Sequence, residues 1–483
     1  MPALLGAAAA ACAVGAVVLN GDEVAEPVGV AEATTPVLSA RRAPEVIAAP
    51  VAGRRLTADL QAWVAQSSPN TCLVVSSGNR PLYRHNPDTP LVGASTQKIV
   101  TATAMLLAFG ADARLKTVAG TTAPPAAGVV AGDLYLVGGG DPLLTTPGYL
   151  GSLPHGQIVV NDPAKLADAI KAAGITRIEG GIVGDDTRYD ADRYSANWPG
   201  RFASQGVVGS ISALTVDDSN NTLNLDPPPA DPATNAAAVL RQLLIDRGVQ
   251  VGGGASSGAA PEGLTTVAEL PSPTMREIVA EMLTESDNET AEMGLKEIGL
   301  QKGGAATWSA GAMAINTLLA DAGVPLQGVR IVDGSGLSSD DRLTCSLIVG
   351  LLSRPETGPT VVEGLSIAGQ TGTLQDRWNG TQVEGRLRAK TGTLNEVTAL
   401  SGRVETLQGG SLTFSYVTNA VAGDTIGSED VDLQNGLADI LVRYPRGVDL
   451  TPLVPAAPPV AGGTGEGAAP PSATTSTTPP PPQ

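Results

Sequence analysis

Elements of the same kind stand at both ends of this chain, and that constrains its fold more than any other feature. Near the start, Thr57 to Gln66 sets Leu60, Trp63 and Val64 on one helical face. Cys72 to Val75 and Leu82 to Arg84 follow as β-prone runs, joined by the turn residues Ser76-Ser77-Gly78-Asn79. Near the end, Val397 to Val404 and Leu412 to Val417 alternate around Gln408-Gly409-Gly410. A helix over about Val431 to Arg443 then turns Leu433, Leu437, Ile440 and Leu441 inward. An isolated strand pair is marginal in water. One sheet assembled from both ends, with helices against it, resolves this. The expected class is therefore α+β with three α/β/α layers.

The middle, residues 112–268, mixes Gly/Pro-rich strands with helices such as Pro163 to Ala173 and Ala236 to Arg247, and reads as an inserted domain. It splits the main domain into 55–111 and 269–447. Residues 1–22 hold the uncharged stretch Ala3 to Leu19, expected to be a signal peptide or a retained signal anchor. Residues 23–54 read as a linker. Residues 448–483, with Pro479-Pro480-Pro481-Pro482 and a Ser/Thr cluster at Ser472 to Thr478, read as a disordered tail.

Aromatic residues make up only 3% of the chain, so the core must be built from small aliphatic side chains. A net charge of −18 excludes a nucleic-acid partner, because phosphate binding needs clustered Lys and Arg. His85 and His155 show no metal-ligand spacing, and no metal or cofactor is expected. Cys12 lies in the apolar leader. Cys72 and Cys345 either pair in an oxidising compartment or stand as separate buried thiols; the sequence leaves both open.

Three motifs carry chemistry. Ser95-Thr96-Gln97-Lys98 opens a predicted helix, Ser95 to Phe109, closed by Gly110. A serine hydroxyl needs a neighbouring base to act as a nucleophile at neutral pH. Residues three apart share a helical face, and a buried, partly neutral lysine supplies such a base. Ser286-Asp287-Asn288 follows the apolar helix Met275 to Leu283, and Lys390-Thr391-Gly392-Thr393 ends the run leading into the C-terminal hairpin. Each motif alone has an ordinary reading as a cap or turn. In this order, the first on a helix and the third on a strand, they are hard to obtain by chance.

In these motifs the chain resembles the active-site serine penicillin-recognising enzymes. Ser286 lies 191 positions after Ser95, a gap that demands an inserted domain and resembles the D-Ala-D-Ala carboxypeptidases of the DacB type, the penicillin-binding protein 4 family. Further matching stretches are Gly132 to Val137 with Gly140-Asp141-Pro142, Ile211 to Val216, Asp333 to Ser338, and Leu387-Arg388-Ala389 before Lys390. The resemblance covers about residues 57 to 445.

It implies a β-lactamase/transpeptidase-like serine domain acting outside the cytoplasm on peptidoglycan stem peptides, with β-lactams as inhibitors. Ser95 would be the acylated nucleophile, Lys98 its base, and Ser286 a proton relay. Asn288, Lys390, Thr391, Gly392 and Thr393 would bind substrate, and the backbone N–H groups of Ser95 and Thr393 would form the oxyanion hole. Asp287 is expected to point away and fix its loop. Asp333 and Ser335 read as a turn, and Gln370-Thr371-Gly372-Thr373, a lysine-free copy of the third motif, reads as structural. The stretch Asp185 to Trp198 is a candidate contact for the stem peptide.

Rival readings fare worse. Gly254-Ala255-Ser256-Ser257-Gly258 matches a nucleophile elbow, but it reads as a loop without the strand and long helix that an elbow needs. A β-lactamase would need a deacylating base, such as the Glu of a Glu-x-x-Leu-Asn segment after the second motif, and none is found. Slow hydrolysis and stable acylation by penicillin are therefore expected. A catalytically idle wall-binding scaffold would have no use for the full set of motif residues.

Overall fold

The computed structural model describes residues 44–150, 159–219 and 230–446. The expected leader (1–22), most of the linker and the tail lie outside the described residues. Residues Ala49–Gly447 form one compact unit.

Its main sheet has six antiparallel strands in the order Ser366–Ile367, Leu387–Leu394, Val397–Glu405, Ser411–Asn419, Asn70–Ser77 and Arg80–His85. The N-terminal strand thus pairs with the last one: Asn70 lies opposite Asn419 and Val75 opposite Phe414. Both faces of the sheet are covered, as the period of two requires. Cys72, Val74, Ala399 and Val417 point into a helical layer containing Ile99, Met282, Leu295 and Leu347. Leu73, Val75, Leu400 and Tyr416 point the other way, against the helices Pro44–Val64 and Ser428–Val442. The result is a three-layer α/β/α body.

The first helix corrects the reading of residues 44–54 as linker. It starts at Pro44, and Ala52, Leu56, Leu60 and Trp63 recur every three or four residues as buried positions. Alanine is a strong helix former, so a composition that resembles a linker becomes helical once one face finds a sheet to cover. Trp63 completes the seam by donating from Nε1 to the Leu433 carbonyl at 2.9 Å, with its ring edge-on to Tyr416.

The middle of the chain builds a second sheet, in the order Thr265–Pro271, Lys116–Thr121, Leu134–Val137, Ile182–Asp185 and Ala255–Ser257. Three short parallel strands lie beside it, Val129–Val130, Arg177–Ile178 and Gln250–Val251. The helices Ala164–Ala172 and Pro232–Asp246 seal a core around Leu136, Ile170, Leu214 and Leu240. The chain leaves and re-enters the main body at one point: Ser272 N donates to Leu115 O, and Leu115 N donates to Ser272 Oγ, both at 2.9 Å. Ala255–Ser257, expected to be a loop, is instead an edge strand parallel to Ile182–Asp185. Backbone pairing with a segment some seventy residues earlier, invisible to local composition, orders it.

Cys72, in the strand Asn70–Ser77, and Cys345, at the start of the helix Cys345–Leu352, form a disulfide with a Cα–Cα distance of 6.0 Å. It ties the sheet to the helical layer. Among the described residues no helix is long and apolar enough to cross a membrane.

Candidate active site

A tight turn, Ala94–Thr96, feeds the helix Gln97–Phe109, so Ser95 sits at the helix N-terminal end. Ala94 takes a left-handed φ of 46°, uncommon for a residue with a Cβ. The strand carrying the third motif crowds this turn: a Cβ at Gly392 would stand 2.6 Å from the Gly93 carbonyl oxygen, so only glycine permits the approach. One turn into the helix, Lys98 is wholly buried. Its Nζ donates to Ser95 Oγ at 3.0 Å, Asn288 Oδ1 at 2.6 Å and the Ser335 carbonyl at 3.0 Å. Burial pulls the ammonium down to about 8, against the opposing pull of Glu292, Asp287, Asp333 and Glu289. A sizeable neutral fraction is thus present in hydrogen-bond reach of the serine hydroxyl, as a general base requires.

Ser286 is the left-handed joint, φ 65°, between the helices Met275–Glu285 and Asn288–Gly303. Asp287 caps the second helix, accepting from Thr290 N at 3.2 Å and from the Thr290 hydroxyl. The joint delivers Asn288 to the site with its amide divided: Oδ1 faces Lys98, and Nδ2 donates to the Val207 carbonyl at 2.7 Å. Ser95, Lys98 and Asn288 therefore form one bonded set. Among the described residues none hydrogen-bonds the hydroxyl of Ser286, the joint residue two positions before Asn288.

Lys390 is buried in the strand Leu387–Leu394 and donates from Nζ to the Thr391 carbonyl at 3.1 Å. Burial drives its ammonium well below the ordinary lysine range; the nearby Lys98 adds to this and Glu285 opposes it. The strand is covered by Ser366–Ile367 only at Arg388 and Ala389. Thr391 to Thr393 run on past the Gly93–Ser95 turn with that edge open. Beside Thr393 a cleft of about 600 Å³ is lined by Arg201, Phe202, Val207, Leu337, Leu394 and Ile426, among others. The stretch Asp185 to Trp198, expected near substrate, is largely occupied elsewhere. The Asp185 carboxylate accepts from Thr187 and Ala260, and Trp198 Nε1 donates to Asp333 Oδ2 at 2.7 Å. The insert reaches the cleft just after it, from Pro199 onward.

Some neighbours were not singled out as site residues. Thr373, in the lysine-free copy of the third motif, accepts from the Thr391 hydroxyl at 3.1 Å. The repeated Thr-Gly-Thr was its signal. Asp333 does clamp a turn, accepting from Gly336 N and Ser338 N, both at 2.7 Å, and that turn aims the Ser335 carbonyl at Lys98. Glu292 lies beneath the same turn, with nothing in its local sequence to mark it. Among the described residues no group is arranged to hold a metal.

Residues 57–231 and 221–439 match the model of the D-Ala-D-Ala carboxypeptidase 3 (S13) family. The chain belongs to this family. A D-alanyl-D-alanine carboxypeptidase of Actinomadura sp. is 30% identical over 444 residues, covering 75% of this chain and 79% of the relative. Carboxypeptidase DacB of Mycolicibacterium smegmatis is 29% identical, covering 70% and 73%. The crystal structure of penicillin binding protein 4 (dacB) from Haemophilus influenzae superposes with a TM-score of 0.66 at 18% identity, over 80% of this chain and 99% of that one, and bears out the fold.

This carboxypeptidase also gathers a group of carboxyls around the second motif, with Glu281 wholly buried and Asp218 and Glu289 half-buried. Burial raises Asp218 to about 8 and holds Glu281 and Glu289 well above the ordinary carboxylate range, with Asp287 adding to each shift. Neither Glu281 oxygen has a hydrogen-bond partner among the described residues. Their folded-state values exceed the unfolded ones, so the folded protein holds protons that the unfolded chain releases above about pH 4. Stability is then fully present below that point and drains away as pH rises through about 8. In calorimetry, the unfolding temperature is expected to fall by at least roughly 5 °C between about pH 5 and about pH 8. A level or rising value would contradict this protonated cluster.

Proposed function

We propose that the protein is a serine-type D-Ala-D-Ala carboxypeptidase that cleaves peptidoglycan stem peptides through an acyl-enzyme on Ser95, outside the cytoplasm, and is inhibited by β-lactams. The observation that carries the reading is the contact of Lys98 Nζ with Ser95 Oγ at 3.0 Å, inside a pocket where burial keeps the amine partly neutral. In this reading Lys98 takes the hydroxyl proton as Ser95 attacks the penultimate D-alanine carbonyl. The N–H groups of Ser95 and Thr393 meet the oxyanion. Ser286 passes the proton to the departing D-alanine nitrogen, and water then hydrolyses the ester. Asn288 holds the substrate backbone. Lys390 supplies positive potential once a bound carboxylate offsets the burial that lowers its ammonium, and Thr391, Gly392 and Thr393 form the wall that receives that carboxylate. The open edge of that strand suits an extended peptide. A buried disulfide between Cys72 and Cys345 supports an oxidising compartment.

Mass spectrometry of products from a defined stem pentapeptide and a crosslinked stem dimer tests the reading. The wild type is expected to release D-alanine from the pentapeptide; cutting of the dimer would add endopeptidase action. Ser95→Ala should release nothing and take no fluorescent penicillin. An unlabelled wild type, or equal labelling of Ser95→Ala, would remove Ser95 from the mechanism.

A further inference from the structure

Glu292 lies on the helix Asn288–Gly303, one turn beyond the second motif, and is wholly buried. Its Oε1 accepts from Ser335 N at 2.7 Å and from Gly334 N at 3.1 Å. Its Oε2 accepts from Trp308 Nε1 at 2.8 Å. The same peptide run turns the Ser335 carbonyl onto Lys98 Nζ. A single carboxylate thus grips two consecutive backbone N–H groups of the loop that supplies one of three acceptors around the catalytic amine. Thr101 Oγ1 adds a bond to the Gly334 carbonyl at 2.6 Å, which pins this loop to the helix of Lys98.

Behind Glu292, Trp308 is held on both sides. Its ring lies edge-on to Trp198 at 5.6 Å, and Lys296 Nζ sits 3.8 Å from its centroid, anchored to Asp190 Oδ1 at 2.6 Å. A rigid indole therefore aims its N–H at the carboxylate. A buried carboxyl beside a buried amine costs desolvation at both, and one so fully coordinated is held for a purpose or for packing.

We propose that Glu292 is a positioning residue of the acylation step, one that sets both the aim and the proton affinity of Lys98 without touching substrate. This rests on the reading of Lys98 as the base for Ser95. The carboxylate attracts a proton to Lys98, so the ionised form keeps the amine charged to higher pH. Other titratable groups face the pair: Asp333 and Asp341 from the loop, Asp287 and Glu289 from the start of the helix, and Lys390 from the strand. Burial holds Asp341 and Glu289 toward the neutral acid and Lys390 toward the neutral amine. Asp333, Asp287 and Glu289 pull on Lys98 in the same sense as Glu292 when ionised, and Lys390 opposes them. Asp341 bears on Glu292, and none of these groups grips the Ser335 amide.

The test is the rate of acylation by a fluorescent penicillin between about pH 5 and about pH 10, where the acid limb reports the base. In Glu292→Gln that limb should move to lower pH by about one unit. Glu292→Asp, which keeps the charge, should return it toward the wild-type position. Trp308→Phe removes the hydrogen bond that favours the ionised carboxylate and should shift the limb the same way by less. It also serves should Glu292→Gln not fold, as judged by circular dichroism. A folded variant that acylates more slowly at every pH with an unmoved limb would reduce Glu292 to a loop support and overturn the proposal. So would a limb displaced to higher pH. Failure of the wild type to label would instead count against the acyl-enzyme reading.

Discussion

Lys98→Met is expected to slow acylation of Ser95 by penicillin by about 10²–10⁴-fold while leaving the protein folded, because it removes the base and keeps the apolar stem. The fold should tolerate it. Asn288 Oδ1 and the Ser335 carbonyl each lose a donor, at about 1–3 kcal/mol per stranded group, but the cost of burying an amine is relieved. Lys98→Arg separates base from charge, since guanidinium keeps the positive charge and the donors but does not lose its proton. It should be nearly as slow as Lys98→Met; retention of more than about a tenth of the wild-type rate would make the lysine an electrostatic fixture instead of a base. The wild-type rate itself should rise with pH through about 8, the region where Lys98 sheds its proton. That trend opposes stability, which the clustered carboxyls make greatest in mild acid.

Loss of the disulfide carries the second large effect. Cys72 and Cys345 are both fully buried and lie 273 positions apart, so the bond restrains a very long loop in the unfolded chain. Replacing both by alanine should cost about 2–5 kcal/mol, lowering the apparent unfolding temperature by roughly 2–6 °C. Acylation per folded molecule should be unchanged at low temperature, since neither sulfur enters the bonded set around Lys98. In the native protein, mild reductant followed by an alkylating reagent should leave both cysteines unmodified, and labelling should appear only on unfolding. Early labelling, or an unfolding temperature indifferent to the double substitution, would show that the bond restrains little.

What was legible in the sequence divides along a physical line. Ser95 and Lys98 could be paired from spacing alone, because a helical turn brings residues three apart together. Asn288 and Lys390 came from motif chemistry. The sheet of both termini followed from alternation and turns, and the three layers from the need to cover it. The helix Asn288–Gly303 shows where such reading stops. Its Glu292, Lys296 and Glu297 resemble a solvated face, yet all three are buried and answered from distant segments: Trp308, Asp190 and Arg188. Local polarity records that a residue needs partners, not where in the fold they stand. The same limit hid the strand Ala255–Ser257 and the helical character of residues 44–54, both ordered by neighbours remote in sequence.

The pairing of Asn70–Ser77 with Ser411–Asn419 has a consequence for the order of assembly. A chain emerging N-terminus first presents Leu73, Val74 and Val75 long before the strand they pair with exists. At about 5–20 residues per second, that interval is tens of seconds of synthesis. Only the hairpin partner Arg80–His85 is at hand early. The sheet that carries Lys390 to Ser95 cannot close until nearly the whole described chain has appeared. Ser95 and the strand of Lys390 therefore depend on a sheet that a chain lacking Ser411–Asn419 cannot complete, so such a truncated chain should take no fluorescent penicillin.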